Sequence, residues 1–478
     1  MGKTGLKASA AAAAVAGVLG GLAASGVAAD ARSTAADRKS VSITIYNDNL
    51  GLVKEVRSVQ LATGIQNLWF EGVAAQVDPT SVHIRSVDAP NALHVLEQNF
   101  EYDLISPERL LEKYLGQQVE LVMWKGDKEE ETIRARLIGT TGGTVYELEN
   151  GKIAINPPAR VVLPALPSGL ISKPSLVWML ESNRPKHTVE ASYLTAGMGW
   201  KADYVAVLAA DDSKLDLSGW VTIDNRSGTT YENAALKLVA GDVNRVRPEG
   251  VVMALGDDMH VRGAVTKEQF QEESFFEYHL YTLDRPATLK DNQTKQISLL
   301  SAEGAKTKKS FVVSPQANWW FARIDAAEKP KVGVYISLEN SKANGMGMPL
   351  PKGTVRVYKK DSRGDLQFVG EDRIDHTPED ETVRVKMGDA FDIVAERVQT
   401  SFEVLASGHL YRSAYKVTIR NHKAEAVTVS VVELLTGDWK ITQSSHKYEQ
   451  EASHRVRFDL PVVSKGSAEL TYTAEVRY

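Results

Sequence analysis

Apolar and polar residues alternate with a period of two along most of the chain from Ser40 onward. In the first such segment, Val41, Ile43 and Ile45 alternate with polar neighbours, and the turn-forming residues 47–51 follow. A period of two places alternate side chains on one face of a sheet. The pattern therefore predicts strands near residues 41–46, 52–61 and 65–70 and a mainly β, multidomain protein with few short helices.

Shorter strand-like segments follow at residues 118–124, 132–139, 144–148 and 152–155, separated by glycine-containing turns. Their number and spacing predict a small β-barrel-like insert. The many strands after residue 188 are typical of β-sandwich domains.

Two local signals favour helices. Ser106 is a suitable N-cap for a helix over residues 106–115, with Pro107 at its first position. Thr266 and Gln269 form a capping-box pattern that predicts a second short helix, which would include Phe270.

Five of the 17 prolines lie between residues 157 and 174, which favours an extended connection between domains. The apolar segment 175–181 that follows is interpreted as one or two helical turns. The predicted divisions are a signal peptide (1–29), an N-terminal β domain (40–92), the barrel-like insert (93–165), a proline-rich linker with a short helix (166–187) and a C-terminal β-sandwich region (188–478) with two sub-domains split near residue 300.

The first thirty residues have the features of a secretory signal. Lys3 and Lys7 precede an alanine-rich apolar run over residues 8–24, and the small residues 27–29 precede Asp30. A membrane anchor is the alternative, but the run is short and contains three glycines. We expect an exported protein, periplasmic or at the cell surface, without integral membrane insertion.

Composition narrows the function classes. The absence of cysteine excludes disulfides, thiolate metal sites and cysteine nucleophiles. A formal net charge of −5 with interspersed signs gives no basic stripe, so we expect no nucleic-acid partner. The sequence contains no recognisable catalytic, cofactor-binding or metal-binding motif.

An ordered series of short motifs resembles a bacterial family of unknown function, the mucoidy-inhibitor-A-like proteins. The motifs include Trp-Lys-Ala-Asp-Tyr at 200–204, Asp-Asn-Arg-Ser-Gly at 224–228, Gly-Met-Pro-Leu-Pro-Lys-Gly at 347–353 and the closing run 433–478. The resemblance covers residues 176–478, and residues 45–81 are similar to the amino-terminal β domain of the same proteins. Longer members carry a coiled coil where this chain has its strand-rich insert, so it resembles a short form. The resemblance implies a β-rich exported protein with a link to surface polysaccharide, and it supplies no catalytic residues.

Trp319 and Trp320 are the candidate ligand contacts. Adjacent residues of a strand face opposite sides, so at least one indole could be exposed and stack on a sugar. The alternative is that one ring caps the core and the other fills a domain interface.

Other clusters are interpreted as structural rather than functional. They are the aromatic and amide group Trp200, Tyr204, Trp220 and Asn225; the acidic turn around Asp211, Asp212 and Asp216; the methionine-containing loop with Met346 and Met348; the hairpin turn at 363–365; and the separate histidines His446 and His454.

Three functions stay open. The first is a non-enzymatic binding or scaffolding protein of the bacterial cell envelope, which holds an envelope protein or polysaccharide through loops and sheet edges. The second is a carbohydrate-active hydrolase with two facing carboxylates in an inter-domain cleft. The third is a periplasmic chaperone or assembly factor, which predicts an unpaired edge strand without lysine or proline.

Overall fold

The protein is mainly β and contains several sheets, in agreement with the fold class that the alternation predicts. A computed structural model describes residues 30–125, 129–241, 243–244, 269–314, 320–406 and 409–478. The predicted signal peptide lies outside these residues. The strands before the insert are β1 (Ala31–Ser33), β2 (Arg38–Tyr46), β3 (Leu50–Gln60), β4 (Gly64–Glu71), β5 (His83–Ser86) and β6 (Leu93–Glu101).

The insert contains α1 (Pro107–Lys113), β7 (Gln118–Lys125), β8 (Glu129–Gly139), β9 (Val145–Leu148), β10 (Ile153–Ile155) and β11 (Arg160–Val162). The strands of the middle region are β12 (Ser175–Ser182), β13 (Lys186–Thr195), β14 (Met198–Leu208), β15 (Lys214–Asn225), β16 (Tyr231–Ala240), β17 (Phe270–Phe275), β18 (Tyr278–Leu283), β19 (Ala287–Leu289) and β20 (Gln293–Val313).

The remaining strands are β21 (Val332–Glu339), β22 (Gly353–Lys360), β23 (Leu366–Ile374), β24 (Thr382–Asp389), β25 (Ile393–Ala406), β26 (Leu410–Asn421), β27 (Val427–Leu434), β28 (Asp438–Ser444), β29 (Tyr448–Ala452), β30 (Arg455–Val462) and β31 (Ser467–Arg477). Short 3-10 turns occupy Ala35–Asp37, Pro79–Ser81, Pro90–Ala92 and Lys342–Asn344.

Two sheets form an N-terminal sandwich. One has the order β17-β18-β16-β2-β3-β13-β5, and the other has the order β1-β4-β12-β6. Val41, Ile43 and Ile45 of β2 point into the core between them, as the alternation predicts, and Phe70 and Trp178 belong to the same core.

The helix predicted within the linker is wrong, because residues 175–182 form strand β12. This strand lies between β4 and β6, and Trp178 at its centre is fully buried. Its residues 176–180 are all apolar because the side chains on both faces of the strand are shielded, and such a run cannot be assigned by periodicity alone.

Strand pairing joins segments that are far apart in sequence. β16 lies parallel to β2, and β13 lies between β3 and β5. β6 pairs with β12, although residues 93–101 fall within the predicted insert. The N-terminal sandwich therefore contains strands from both sides of the boundaries that composition predicts at residues 92 and 187.

The insert folds around a small core of its own. Its antiparallel strands have the order β10-β9-β8-β7-β11, and its core includes Tyr114, Leu121 and Tyr146. The described residues give no ladder between β10 and β11, so the five-stranded sheet is open at both ends. The helix predicted at 106–115 is confirmed as α1, with the Arg109 amide donating to Ser106 Oγ at 3.2 Å. No helix in the described ranges combines the length and the apolar character needed to cross a membrane.

The long strand β20 connects the core of the N-terminal sandwich with a separate C-terminal core. Its first part pairs with β15 and contributes Ile297 and Leu300 to the core shared with the N-terminal sandwich. Its last residues pair with β21 and β27, and Phe311 and Val313 enter a separate C-terminal core. The C-terminal core is closed by the sheet β25-β26-β31-β28.

The capping-box prediction is wrong where it can be compared with the structure. Thr266 lies outside the described residues, but Phe270 begins strand β17 and faces Leu283 of β18. Its burial in the core explains why the strand forms here.

Candidate functional site

Trp320, one of the two predicted ligand contacts, is fully buried in the C-terminal core. Its ring meets Tyr415 edge to face at 5.2 Å, and its Nε1 donates to the Leu434 carbonyl at 2.8 Å. The proposed sugar-stacking role is therefore wrong for Trp320, because no face of the indole reaches the surface. Trp319 lies outside the described residues.

An exposed aromatic row begins at the next residue. Phe321 is 46% exposed and contacts Tyr478, which contacts Tyr411, which in turn stacks near Phe402. The row is not visible in the sequence, because its members come from separate segments of the chain. Strand alternation could not indicate the outward-facing ring of Phe321, because residues 320 and 321 form a turn.

Trp200, Tyr204 and Asn225 of the aromatic and amide cluster are buried and structural, as interpreted from sequence, whereas Trp220 is half-buried. Trp200 Nε1 donates to the Val239 carbonyl, and Tyr204 OH donates to the Pro351 carbonyl at 2.8 Å. Asn225 Nδ2 donates to carbonyls of the adjoining loops. These buried groups use their polar atoms to fix loops, so they are not available to a ligand.

Asp212 of the acidic turn forms ion pairs with two lysines. Asp212 accepts from Lys309 Nζ at 2.9 Å and from Lys359 Nζ. Partial burial would raise its pKa, but these two lysines outweigh burial and lower the pKa of Asp212. Its carboxylate therefore acts as the centre of a lysine cluster.

The remaining motifs also have structural partners. The turn at 363–365 is a hairpin in which Asp361 Oδ1 accepts from the Arg363 amide at 2.9 Å. His446 Nδ1 lies 2.9 Å from Ser445 Oγ, whereas His454 Nδ1 lies 3.1 Å from the Leu435 carbonyl. Across the described ranges, no three His, Asp or Glu side chains converge on a possible metal position.

A buried serine and histidine pair has the spacing of a catalytic dyad. Ser182 Oγ lies 2.8 Å from His187 Nε2, and Ser86 Oγ lies 2.9 Å from His187 Nδ1. Ser86 Oγ in turn donates to Asp88 at 3.0 Å. However, Ser182 Oγ also lies 2.8 Å from the Arg184 carbonyl, and both Ser182 and His187 are buried, so the pair is not open to a substrate in this structure. The cluster closes the turn between β12 and β13.

We expect acidification to weaken the fold through His187. Burial lowers the pKa of His187 below its usual 6.5, although the Arg184 carbonyl opposes the shift. Between pH 6.5 and the lower folded pKa, the unfolded chain binds a proton that the folded chain does not. This contribution to stability is therefore complete above pH 6.5 and is lost as the pH falls toward the folded pKa.

Urea unfolding at a series of pH values measures this effect, with His187→Gln as the comparison. The variant should show a flatter pH dependence in this range than the parent. Equal slopes would exclude His187 as a source of the acid sensitivity.

Strand β6 is the candidate binding element. Within the described part of the chain it pairs with β12 only, so one row of backbone amides and carbonyls is open along its nine residues. Residues 93–101 contain no lysine, arginine or proline. Edges are normally protected by such residues, by bulges or by shortness. β6 has a single bulge, at Leu96, and its charged side chains are the acidic Glu97 and Glu101.

The side chains of β6 also suit a partner strand. Val95 and Leu96 are 44% and 48% exposed. Val95 lies opposite Leu180 and Phe100 lies opposite Leu176, so both belong to the face of the sheet that contacts the core. An added strand would extend this core by covering Val95. Trp178 Nε1 donates to Gln98 Oε1 at 2.9 Å, and this hydrogen bond fixes the Gln98 side chain at the middle of the edge strand.

The N-terminal sandwich also contains a polar cleft of about 590 Å³, and its lining includes Arg38, Lys173, Thr230, Glu232 and Asp291. Its two carboxylates are Glu232 and Asp291. Asp291 accepts from the Gly228 amide and from Asn292 Nδ2, both at 2.9 Å, so it serves to fix its own turn. This arrangement gives little support to the hydrolase hypothesis, which needs both carboxylates free to act on one bond.

A comparison with models of known protein families gives no match, and neither does a comparison with curated proteins. The similarity of residues 176–478 to mucoidy-inhibitor-A-like proteins stays a prediction from sequence motifs.

Proposed function

We propose that the protein is an exported, non-enzymatic binding or scaffolding protein of the bacterial cell envelope. It holds an envelope protein by accepting an extended segment of that protein at the edge of β6. The open edge of β6 carries this proposal, because its free backbone groups and exposed Val95 and Leu96 are the features that strand addition uses.

The binding energy would come mainly from the backbone. Each added ladder hydrogen bond contributes about 0.5–1.5 kcal/mol net. Covering the exposed parts of Val95 and Leu96 adds about 1 kcal/mol each. A segment of six to eight residues would give an interaction that side-chain choice at a few positions could make specific.

A photo-crosslinking side chain at position 96 tests the proposal in cells that express the full chain. We expect a crosslinked adduct with an envelope protein, and a mature chain that begins at Asp30. Ile155, 71% exposed on edge strand β10, is the matched control position, where no such adduct should form.

The variant Val95→Lys supplies the decisive comparison. A lysine directed toward the core at this edge should block an incoming strand, as lysines do on natural edges, and abolish the adduct while leaving the melting temperature nearly unchanged. An adduct that persists in folded Val95→Lys would overturn strand addition at β6.

The same edge would serve the chaperone or assembly-factor alternative. The two functions differ in the number of partners, since a scaffold holds one protein at fixed stoichiometry and a chaperone binds many. Mass spectrometry of the adducts separates them: one dominant protein supports the scaffold, and a broad set of unfolded clients supports the chaperone.

A further inference from the structure

The polar cleft forms where two paired strands separate. β2 and β16 pair only from Ser42 and Ala235 onward, and the first residues of β16 turn away to pair with β19. Asn233 at this bend has a φ of 52°. The start of β2, from Arg38 to Val41, pairs with β3 along one edge and borders the cleft where β16 would otherwise pair.

A buried cluster beneath the cleft carries an excess positive charge. Glu55 accepts two hydrogen bonds from Arg38, at 3.0 and 3.2 Å, and two from Arg57, at 3.0 and 2.7 Å. Glu55 and Arg57 are fully buried. One carboxylate is thus shared by two guanidinium groups, and one positive charge is left over. Charge placed in a region of low dielectric attracts an anion more strongly than the same charge in water.

Arg38 connects this charge to the cleft. Its Nε and Nη2 bond Glu55, so that, in the described part of the chain, Nη1 is the nitrogen left for a ligand. Arg57 Nη1 donates to the carbonyls of Ser33 and Glu71, and the Arg57 side chain is fully buried. The excess charge can therefore be reached only through Arg38.

Other side chains that line the cleft offer a positive charge and a hydroxyl donor, which suit an anionic ligand that also has polar groups. Lys173 is exposed at the rim and has no ion-pair partner among the described residues. Thr230 Oγ1 accepts from the Asp291 amide at 3.0 Å, which leaves its own proton for a ligand. Lys39 also lines the cleft, but its amine donates to Thr188.

We propose that the polar cleft binds a carboxylate or phosphate group of a ligand between Arg38 and Lys173. Glu232 at the rim disfavours ligands with a second negative charge close to the first. The site is separate from β6 and does not depend on the function proposed above.

Calorimetric titration at constant ionic strength tests the proposal with inorganic phosphate, glucuronate and glucose. We expect saturable binding of at least one of the two anions and none of glucose. Binding of phosphate alone indicates a phosphate ester as the natural ligand, and binding of glucuronate alone indicates an acidic sugar.

Charge reversal at the rim locates the site. Lys173→Glu should raise the dissociation constant of the bound anion about tenfold. Lys214→Glu, an exposed lysine outside the lining, should leave it unchanged. The proposal fails if neither anion binds, or if Lys173→Glu and Lys214→Glu bind the anion as tightly as the parent.

Discussion

Replacing Glu55 with glutamine is expected to reduce the free energy of unfolding of the N-terminal sandwich by about 3–5 kcal/mol. Glutamine keeps the size of the side chain but removes its charge. Arg57 lies fully buried with its guanidinium 3.5 Å from the centre of the Phe70 ring, and it would keep its charge without a carboxylate. Arg38 would lose the same partner, so two cations would be left facing each other across a neutral amide.

Urea unfolding followed by circular dichroism measures this loss, and Glu71→Gln provides the control. Glu71 pairs with Arg32 at 2.6 Å, but the Arg32 side chain is 58% exposed. Water and salt screen such a pair, so the control should cost less than about 1 kcal/mol. Similar losses in both variants would show that burial does not govern the Glu55 pair.

The C-terminal sandwich, which surrounds the C-terminal core and includes the sheet β25-β26-β31-β28, should respond in the same way to loss of Arg397. Its guanidinium bonds Glu433 at 2.8 and 3.2 Å and Glu328 at 2.7 Å, and it lies 3.7 Å from the centre of the Tyr415 ring. Arg397→Leu removes the guanidinium that bonds the buried carboxylate of Glu433. We expect a loss of about 3–5 kcal/mol in the unfolding transition of this sandwich.

The double variant Arg397→Leu/Glu433→Leu distinguishes charge from packing. Removing both charges takes away the desolvation penalty, so the double variant should be more stable than Arg397→Leu alone. A double variant that is less stable than the single one would indicate that the shape of the ion pair, and not its charge, determines stability here.

The alternation of apolar and polar residues predicts the strands of this fold only where one face of a strand is buried and the other is exposed to solvent. β2 meets that condition, and the alternation of Val41, Ile43 and Ile45 identifies it. β12 does not, because Val177 and Trp178 on opposite faces are both buried, and the period-two signal disappears. The pairing of β2 with β16 joins residues almost two hundred positions apart, and no local pattern contains that information.

The candidate sites show the same limit. The sequence of β6 already contains the absence of lysine and proline, but only the sheet order reveals that this strand lies at an edge. The charge excess beneath the cleft needs three residues, Arg38, Glu55 and Arg57, whose spacing along two strands is unremarkable until they face one another.

The parallel pairing of β2 with β16 also constrains the order in which the chain can fold. As the polypeptide is synthesised, β2 and β3 emerge early and can form a hairpin, but the neighbour of β2 on its other side is made only after β15. Contacts between such distant segments slow folding. The sheet of the N-terminal half therefore stays incomplete until the ribosome has added β16. A chain truncated before residue 231 lacks the strand that pairs with β2 on this side.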